Sequence, residues 1–218
     1  MKTERTVPAS TIFDRDCRQC PRLAAFLDEV SERQPGYYCK PVPPFGDAAA
    51  RLLIVGLAPG MHGANRTGRP FTGDYAGVLL YETLHKFGFS TGPESTSVDD
   101  QLRLIDCRIT NAVKCLPPDN KPVGAEINTC NSFLANELDA LAEGSVLVAL
   151  GGIAHRAIVK ARGLRQADYK FAHAALHDLG SLQMLDSYHC SRYNTNTRRL
   201  TTTMFESVFA AARTMLDK

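Results

Sequence analysis

Residues 53–77 read LIVGLAPGMHGANRTGRPFTGDYAG, and the character of the chain changes twice within them. The apolar run Leu52-Leu53-Ile54-Val55 has the length and β-branching of a buried strand. It breaks at Gly56 into a loop holding Gly60, Gly63, Gly68, Gly73 and two prolines. Apolar residues return at Val78, Leu79, Tyr81, Leu84 and Phe87, which predicts a helix from about Asp74 to Phe87. Strand, glycine-rich loop and helix together build a ligand site at the carboxyl end of a parallel strand. Glycines let the backbone approach a ligand and present its amides. The loop also carries His62, Asn65, Arg66, Arg69, Phe71 and Asp74, a set suited to a flat polar ring beside an anionic backbone. It does not fit GxGxxG, and no Gly-Lys-Ser/Thr closes a phosphate loop, which argues against a dinucleotide or nucleoside triphosphate site.

The surroundings of this stretch are those of an ordinary globular chain. With 218 residues, 44% hydrophobic and 22% charged, a single domain spanning 1–218 is expected. A net charge of +2 means that binding to nucleic acid must come from a local basic face. The first ten residues, MKTERTVPAS, show no apolar core of a signal peptide, and no stretch is long enough to span a bilayer. No membrane partner is expected. Seven cysteines, an odd number, argue against a disulfide framework, and a cytoplasmic location is expected.

Further strands are predicted at Leu104–Val113, Val146–Leu150 and Leu182–Tyr188, and further helices at Leu23–Val30, Glu126–Leu141, after Gly151-Gly152, and at Thr201–Leu216. Residues 34–50 read as a long loop and residues 90–103 as a polar, exposed connection. Alternation of strands and helices predicts an α/β fold, a mainly parallel sheet covered on both faces. Three strand ends deliver polar groups that should converge: the central loop, Asn111 and His189.

Cys17, Cys20, Cys115 and Cys130 form the pattern C-x2-C … C-x14-C. Four thiolates suit tetrahedral zinc or a [4Fe–4S] cluster, and buried cysteines that pack as small hydrophobes give the same spacing. Spacing alone leaves these three readings open.

The strings GLAPG-x2-G-x-NRTGRPFTGD-x-AG, TNAVKCLPP-x-NKP-x3-EINTC and H-x-SR-x-NT-x-T-x-RLT resemble the family 5 uracil-DNA glycosylases, relatives of the family 4 iron–sulfur enzymes. The resemblance runs from Cys17 to the terminal helix. It implies a single-domain three-layer α/β/α sandwich and a structural [4Fe–4S] cluster on Cys17, Cys20, Cys115 and Cys130. It also implies excision of uracil and some related deaminated or modified bases from DNA, by an enzyme expected to act as a monomer. Two departures stand out: Leu57 occupies the place of the acidic residue of family 4, and Cys190 replaces a proline common in His-Pro-Ser.

Roles follow for individual residues. Phe71 would stack on the flipped ring, beside a backbone formed by Gly56, Ala58, Pro59 and Gly60. The carboxamide of Asn111 offers uracil both a donor and an acceptor, and it matches the family's uracil-contacting asparagine. His189, as a neutral imidazole, would donate to the O2 side of the leaving base. Asp74 would either cap the next helix or orient water and steady the oxocarbenium ion, with backbone carbonyls near Ala58 and Pro59 as a third way of holding water. Arg66, Arg69, Ser191, Arg192, Arg198 and Arg199 would contact phosphates, and residues 193–197 would probe the duplex. His62 is a further candidate beside the base. An iron–sulfur nucleic-acid-binding module without activity is the alternative from another class. A zinc-stabilised nucleotide hydrolase is a third.

Overall fold

The computed structural model describes residues 13–218; residues 1–12, which open the expected domain, lie outside the described residues. Helix α1 (Pro21–Arg33) starts on a proline, whose fixed φ suits the first helical position, and buries Leu23, Ala24, Leu27 and Val30. Strand β1 (Phe45–Gly46) precedes β2 (Leu52–Gly56), and the short helix α2 (Ala64–Thr67) lies inside the glycine-rich loop. Next come α3 (Tyr75–Lys86), β3 (Cys107–Asn111), α4 (Gly124–Asp139), β4 (Val146–Leu150) and α5 (Gly152–Ala161). Strands β5 (Leu176–Asp178) and β6 (Gln183–Ser187), then α6 (Arg192–Asn196) and α7 (Thr202–Leu216), complete the chain.

The sheet runs β1-β3-β2-β4-β6-β5. Its four inner strands are parallel, with Leu52 level with Cys107 and Val146, and Val146 level with Gln183. Only the short edge strands are antiparallel. Every residue of β2 and β4 is buried, as a strand covered on both faces requires. Leu52 and Ile54 join Leu80, Leu84, Phe205 and Phe209 under α3 and α7, while Leu53 and Val55 join Leu134, Leu138, Ala154 and Ile158 under α4 and α5. The two-residue pleat of one strand thus feeds both cores, giving the expected α/β/α layering. Among the described residues, no helix is long and apolar enough to cross a membrane.

Four elements differ from the expectation. β1 falls in the stretch read as a long loop, β5 lies in a loop between helix and strand, and α2 and α6 are single turns within polar loops. The third strand is also shorter than expected, since Leu104 makes only an isolated bridge with Ser90.

The segment expected to be an exposed connection is fastened to the glycine-rich loop. Asp100 accepts hydrogen bonds from the amides of Thr96 and Leu102 at 2.8 and 3.1 Å. It also pairs with Arg69 at 2.8 Å, the two side chains being only 12% and 6% exposed. Arg69 further donates to Ser95 at 2.9 Å and lies over the Phe45 ring at 4.5 Å. The expectation that Arg69 contacts phosphate is therefore corrected: its guanidinium is buried and occupied, and it anchors the loop. Burial opposes ionisation of Asp100, but Arg69 and the surrounding amides outweigh it and hold the carboxyl at about 2, against 3.8 for a free group. A depressed pKa stabilises the fold above the unfolded value and ceases to do so as pH falls through the folded one. Asp100→Asn is expected to cost on the order of 2 kcal/mol at pH 7 in urea unfolding. That deficit relative to wild type should shrink as pH falls from 3.8 towards 2. An equal deficit at both ends of this range would refute the assignment.

Candidate active site

The carboxyl ends of the four parallel strands open into a cleft of about 470 Å³. β2 delivers Leu57, Ala58 and Gly60, β3 delivers Asn111, β4 delivers Leu150, Gly151, Gly152 and Ile153, and the chain after β6 delivers His189, Ser191 and Arg192. The three expected strand ends therefore meet, and the end of β4 joins them as a fourth. Its signal was the Gly151-Gly152 pair, where Gly151 takes φ +94° and a β-carbon would stand 3.5 Å from His189 Cβ. The further lining residues Ala64, Tyr75, Ala76 and Asn120 carry no sequence signature of their own.

The floor is built on one missing side chain. Gly56 and Asn111 are register partners at the ends of β2 and β3, and pairing continues past them through Ala112 N–H to the Gly56 carbonyl at 2.9 Å. A β-carbon on Gly56 would stand 2.8 Å from the Phe71 ring and closer still to Asn111 Oδ1. Phe71 adopts φ +55°, rare for an aromatic residue, and is buried. Its carbonyl packs against Gly77, where a β-carbon would overlap it, and the neighbouring Pro70 carbonyl accepts from Tyr81 Oη at 2.8 Å. The Phe71 ring stacks on His189, with centroids 5.9 Å apart and planes inclined by 28°.

His189 has its backbone carbonyl held by Asn194 Nδ2 at 2.8 Å. Its ring lines the cleft, its Nδ1 has no partner among protein atoms, and burial lowers its pKa to about 4. At neutral pH it is an uncharged imidazole. Asn111 is 3% exposed and its Oδ1 is likewise unpartnered, so carboxamide and imidazole both face the cleft with unused hydrogen-bonding capacity. Asp74 takes the first of its expected roles, the helix cap. Its Oδ1 accepts from Gly77 N–H at 2.9 Å and caps α3, while the other oxygen lies over Gly60 and Gly63. Burial raises its pKa despite the amides of Gly77 and Ala76.

Around the rim, Ser191 caps α6 and Arg192 lies over the Tyr75 ring at 4.8 Å, both in the cleft wall. Arg66 and Arg198 are exposed but stand outside that wall, as does Arg199 over Tyr188. Pro59 is buried beside the cleft rather than lining it. His62 bonds Tyr37 Oη at 2.9 Å and is also outside. Tyr193, on α6, is 72% exposed.

The four candidate cysteines line one small cavity with Leu23, Val113 and Phe133. Cys17 and Cys20 precede α1, Cys115 follows β3 and Cys130 sits in α4. The backbone N–H of Lys114 donates to Cys130 Sγ at 3.3 Å, and Arg22 clamps Glu126 with two contacts of 2.7 Å, joining α1 to α4. Burial and the nearby sulfurs push Cys115 up to about 12, and burial pushes Cys130 to about 11, so as thiols they are neutral. Among the described residues, His155, His177 and Asp186 bring three ligand atoms within 4.8 Å of one another at a separate place in the fold.

The model of the uracil DNA glycosylase superfamily matches residues 43–213. A type-5 uracil-DNA glycosylase of Thermus thermophilus is 49% identical over 203 residues, which cover 90% of this chain and 92% of that protein. A type-5 uracil-DNA glycosylase of Pyrobaculum aerophilum is 41% identical over 201 residues, covering 90% and 88%. A type-4 uracil-DNA glycosylase of Archaeoglobus fulgidus is 37% identical over 114 residues, covering 52% and 49%.

Gly56→Ala tests the floor directly. The added methyl must displace Asn111 or Phe71, and overpacking of this kind costs about 1–3 kcal/mol. A fall in Tm is expected, together with a shift of the Phe71 ring resonances. An unchanged Tm with unmoved resonances would show that the floor has slack.

Proposed function

The chain belongs to the uracil DNA glycosylase superfamily, and on that premise we propose how its cleft excises uracil from DNA. The protein is a DNA repair glycosylase that hydrolyses the N-glycosidic bond of uracil. The observation that carries the mechanism is the convergence of Asn111, Phe71 and neutral His189 on one floor.

A base must leave the duplex to reach this floor, at a cost of a few kcal/mol that stacking partly offsets. Phe71 offers the ring face for that stacking, and Asn111 reads the edge of the base with a donor and an acceptor on one carboxamide. As the glycosidic bond lengthens, negative charge gathers on the base and positive charge on the sugar. His189, as a neutral imidazole, donates a hydrogen bond to the base and keeps its proton as the base departs as an anion. Leu57 lines the cleft where an acidic residue would otherwise orient water. The free oxygen of Asp74 then supplies the carboxylate that positions water and steadies the sugar cation. Ser191 and Arg192 at the rim, with Arg66 and Arg198 beyond it, hold the phosphates, and exposed Tyr193 enters the gap left by the base. Ala58, Gly60, Ala64, Gly151 and Gly152 leave the walls open, which supports acceptance of other deaminated or modified bases. The seven cysteines form no disulfide with one another, and cluster ligation by four of them would go with a reducing cytoplasm.

Cys17, Cys20, Cys115 and Cys130 would hold a [4Fe–4S] cluster, which when bound cross-links α1, the end of β3 and α4 and has a structural role. The gathering of the four cysteines around one cavity and the backbone amide aimed at Cys130 support a thiolate-held centre of this kind.

Purified protein given a labelled uracil-containing duplex should yield abasic sites on alkaline cleavage. His189→Ala should lower kcat by roughly 10²–10³ with little change in KM, the loss expected for one preorganised donor. Asp74→Asn keeps an oxygen to cap α3, so its Tm should hold while kcat falls by about 10². Full activity of both variants would overturn the mechanism. For the cofactor, iron and acid-labile sulfide at about four each per chain, with a brown colour, are expected; a colourless protein carrying one zinc would exclude the cluster.

A further inference from the structure

Outside the cleft and the cysteine cavity lies a buried cluster that neither uses. Asp186, in β6, is fully buried, and each of its carboxylate oxygens faces one imidazole. Oδ1 is 2.8 Å from His155 Nδ1, and Oδ2 is 2.9 Å from His177 Nε2 and accepts from Ala172 N–H at 3.3 Å. His155 sits in the middle of α5, and His177 on the edge strand β5 with its side chain 11% exposed.

The second nitrogen of His155 decides what the cluster can hold. Its Nε2 is 3.0 Å from the Tyr169 carbonyl, which only accepts, so this nitrogen carries a proton. Nδ1 then faces a second pure acceptor, the carboxylate. Two arrangements satisfy both sides of the ring: a second proton on His155, or a cation shared by His155, His177 and Asp186. An outer imidazole N–H donated to a backbone carbonyl is the usual support of a metal-ligating histidine. Two imidazole nitrogens and two carboxylate oxygens provide four donor atoms, a set that favours a borderline divalent ion over magnesium or calcium, which prefer all-oxygen surroundings.

We propose that His155, His177 and Asp186 bind one Zn²⁺ ion, which pins edge strand β5 and residues 169–177 onto β6 and α5. The site lies away from the cleft, and it is independent of how the cleft is read.

The test uses protein purified with its cysteine-bound metal in place. Zinc is added, excess is removed by gel filtration, and bound zinc is counted for wild type and His177→Gln. The glutamine amide can still donate to Asp186, so the hydrogen-bonded arrangement survives while a ligand is lost. Wild type should retain one zinc ion more than the variant. At a hundredfold excess of zinc over Kd, its Tm should rise by roughly 5–10 °C, and that of the variant should not. Cobalt(II) in place of zinc should give ligand-field absorption without a thiolate charge-transfer band. Equal zinc content in the two proteins, or cobalt spectra of thiolate type only, would overturn the proposal and leave a doubly protonated His155 as the partner of Asp186.

Discussion

A parallel strand whose residues are all buried has no freedom in register: a slip of one residue would exchange the apolar sets that feed its two cores. β2 is such a strand, and it is paired on both sides, to β3 and to β4. Its pairing therefore fixes the height at which each neighbour ends. Gly56 lies level with Asn111, and Leu150 lies level with Ser187, two residues before His189. The heights of Asn111 and His189 at the cleft are thus set by the burial of a hydrophobic sheet before either touches a ligand. Loops then supply what the sheet cannot, the carboxylate of Asp74 and the rim of α6.

The cysteine cavity is tied to this edge by a short piece of chain. Residues 110–115 carry Asn111 at one end and Cys115 at the other, and Lys114 lies between them, fully buried. Its ammonium reaches Thr110 and, at 2.6 Å, Glu137 of α4, while its amide faces Cys130. A buried ion pair adds little net stability, because desolvation offsets most of the attraction. Its effect here is geometric, since the charge fixes where the end of β3 sits against the helix that bears Cys130. Support at the cysteines and alignment at Asn111 are in this way parts of one packing unit.

How much of this was legible beforehand varied with the range of the interactions involved. The strands at Leu52, Val146 and Gln183 and the helices at Tyr75, Gly124 and Thr202 could be read because their apolar periodicity is local. β1 and β5 could not, since two or three residues carry no period and their pairing is decided by a neighbour elsewhere in the sequence. Phe71, Asn111 and His189 stood out from the glycine-rich loop and the strand ends, and the four cysteines from their spacing, before any motif string was matched. Arg69 was misjudged from the same loop: its partner Asp100 lies 31 residues away in a segment that looked exposed. A charged side chain reads as solvent-facing until the carboxylate that buries it is known. The end of β4 was missed as part of the cleft because glycine and leucine there contribute shape rather than chemistry.

The clearance above Gly56 has a consequence for how such a protein can change over time. Any replacement there must move Asn111 or Phe71 at once, and neither can move without disturbing a strand end or a residue already held at positive φ. The floor is consequently a poor place for gradual adaptation, since intermediate sequences would lose function before gaining any. The rim is different: α6 is a single turn with no buried residue, and its Arg192 and Tyr193, like Arg66 of α2, are exposed side chains. Substitutions can therefore drift at the rim while the floor stays frozen beneath it.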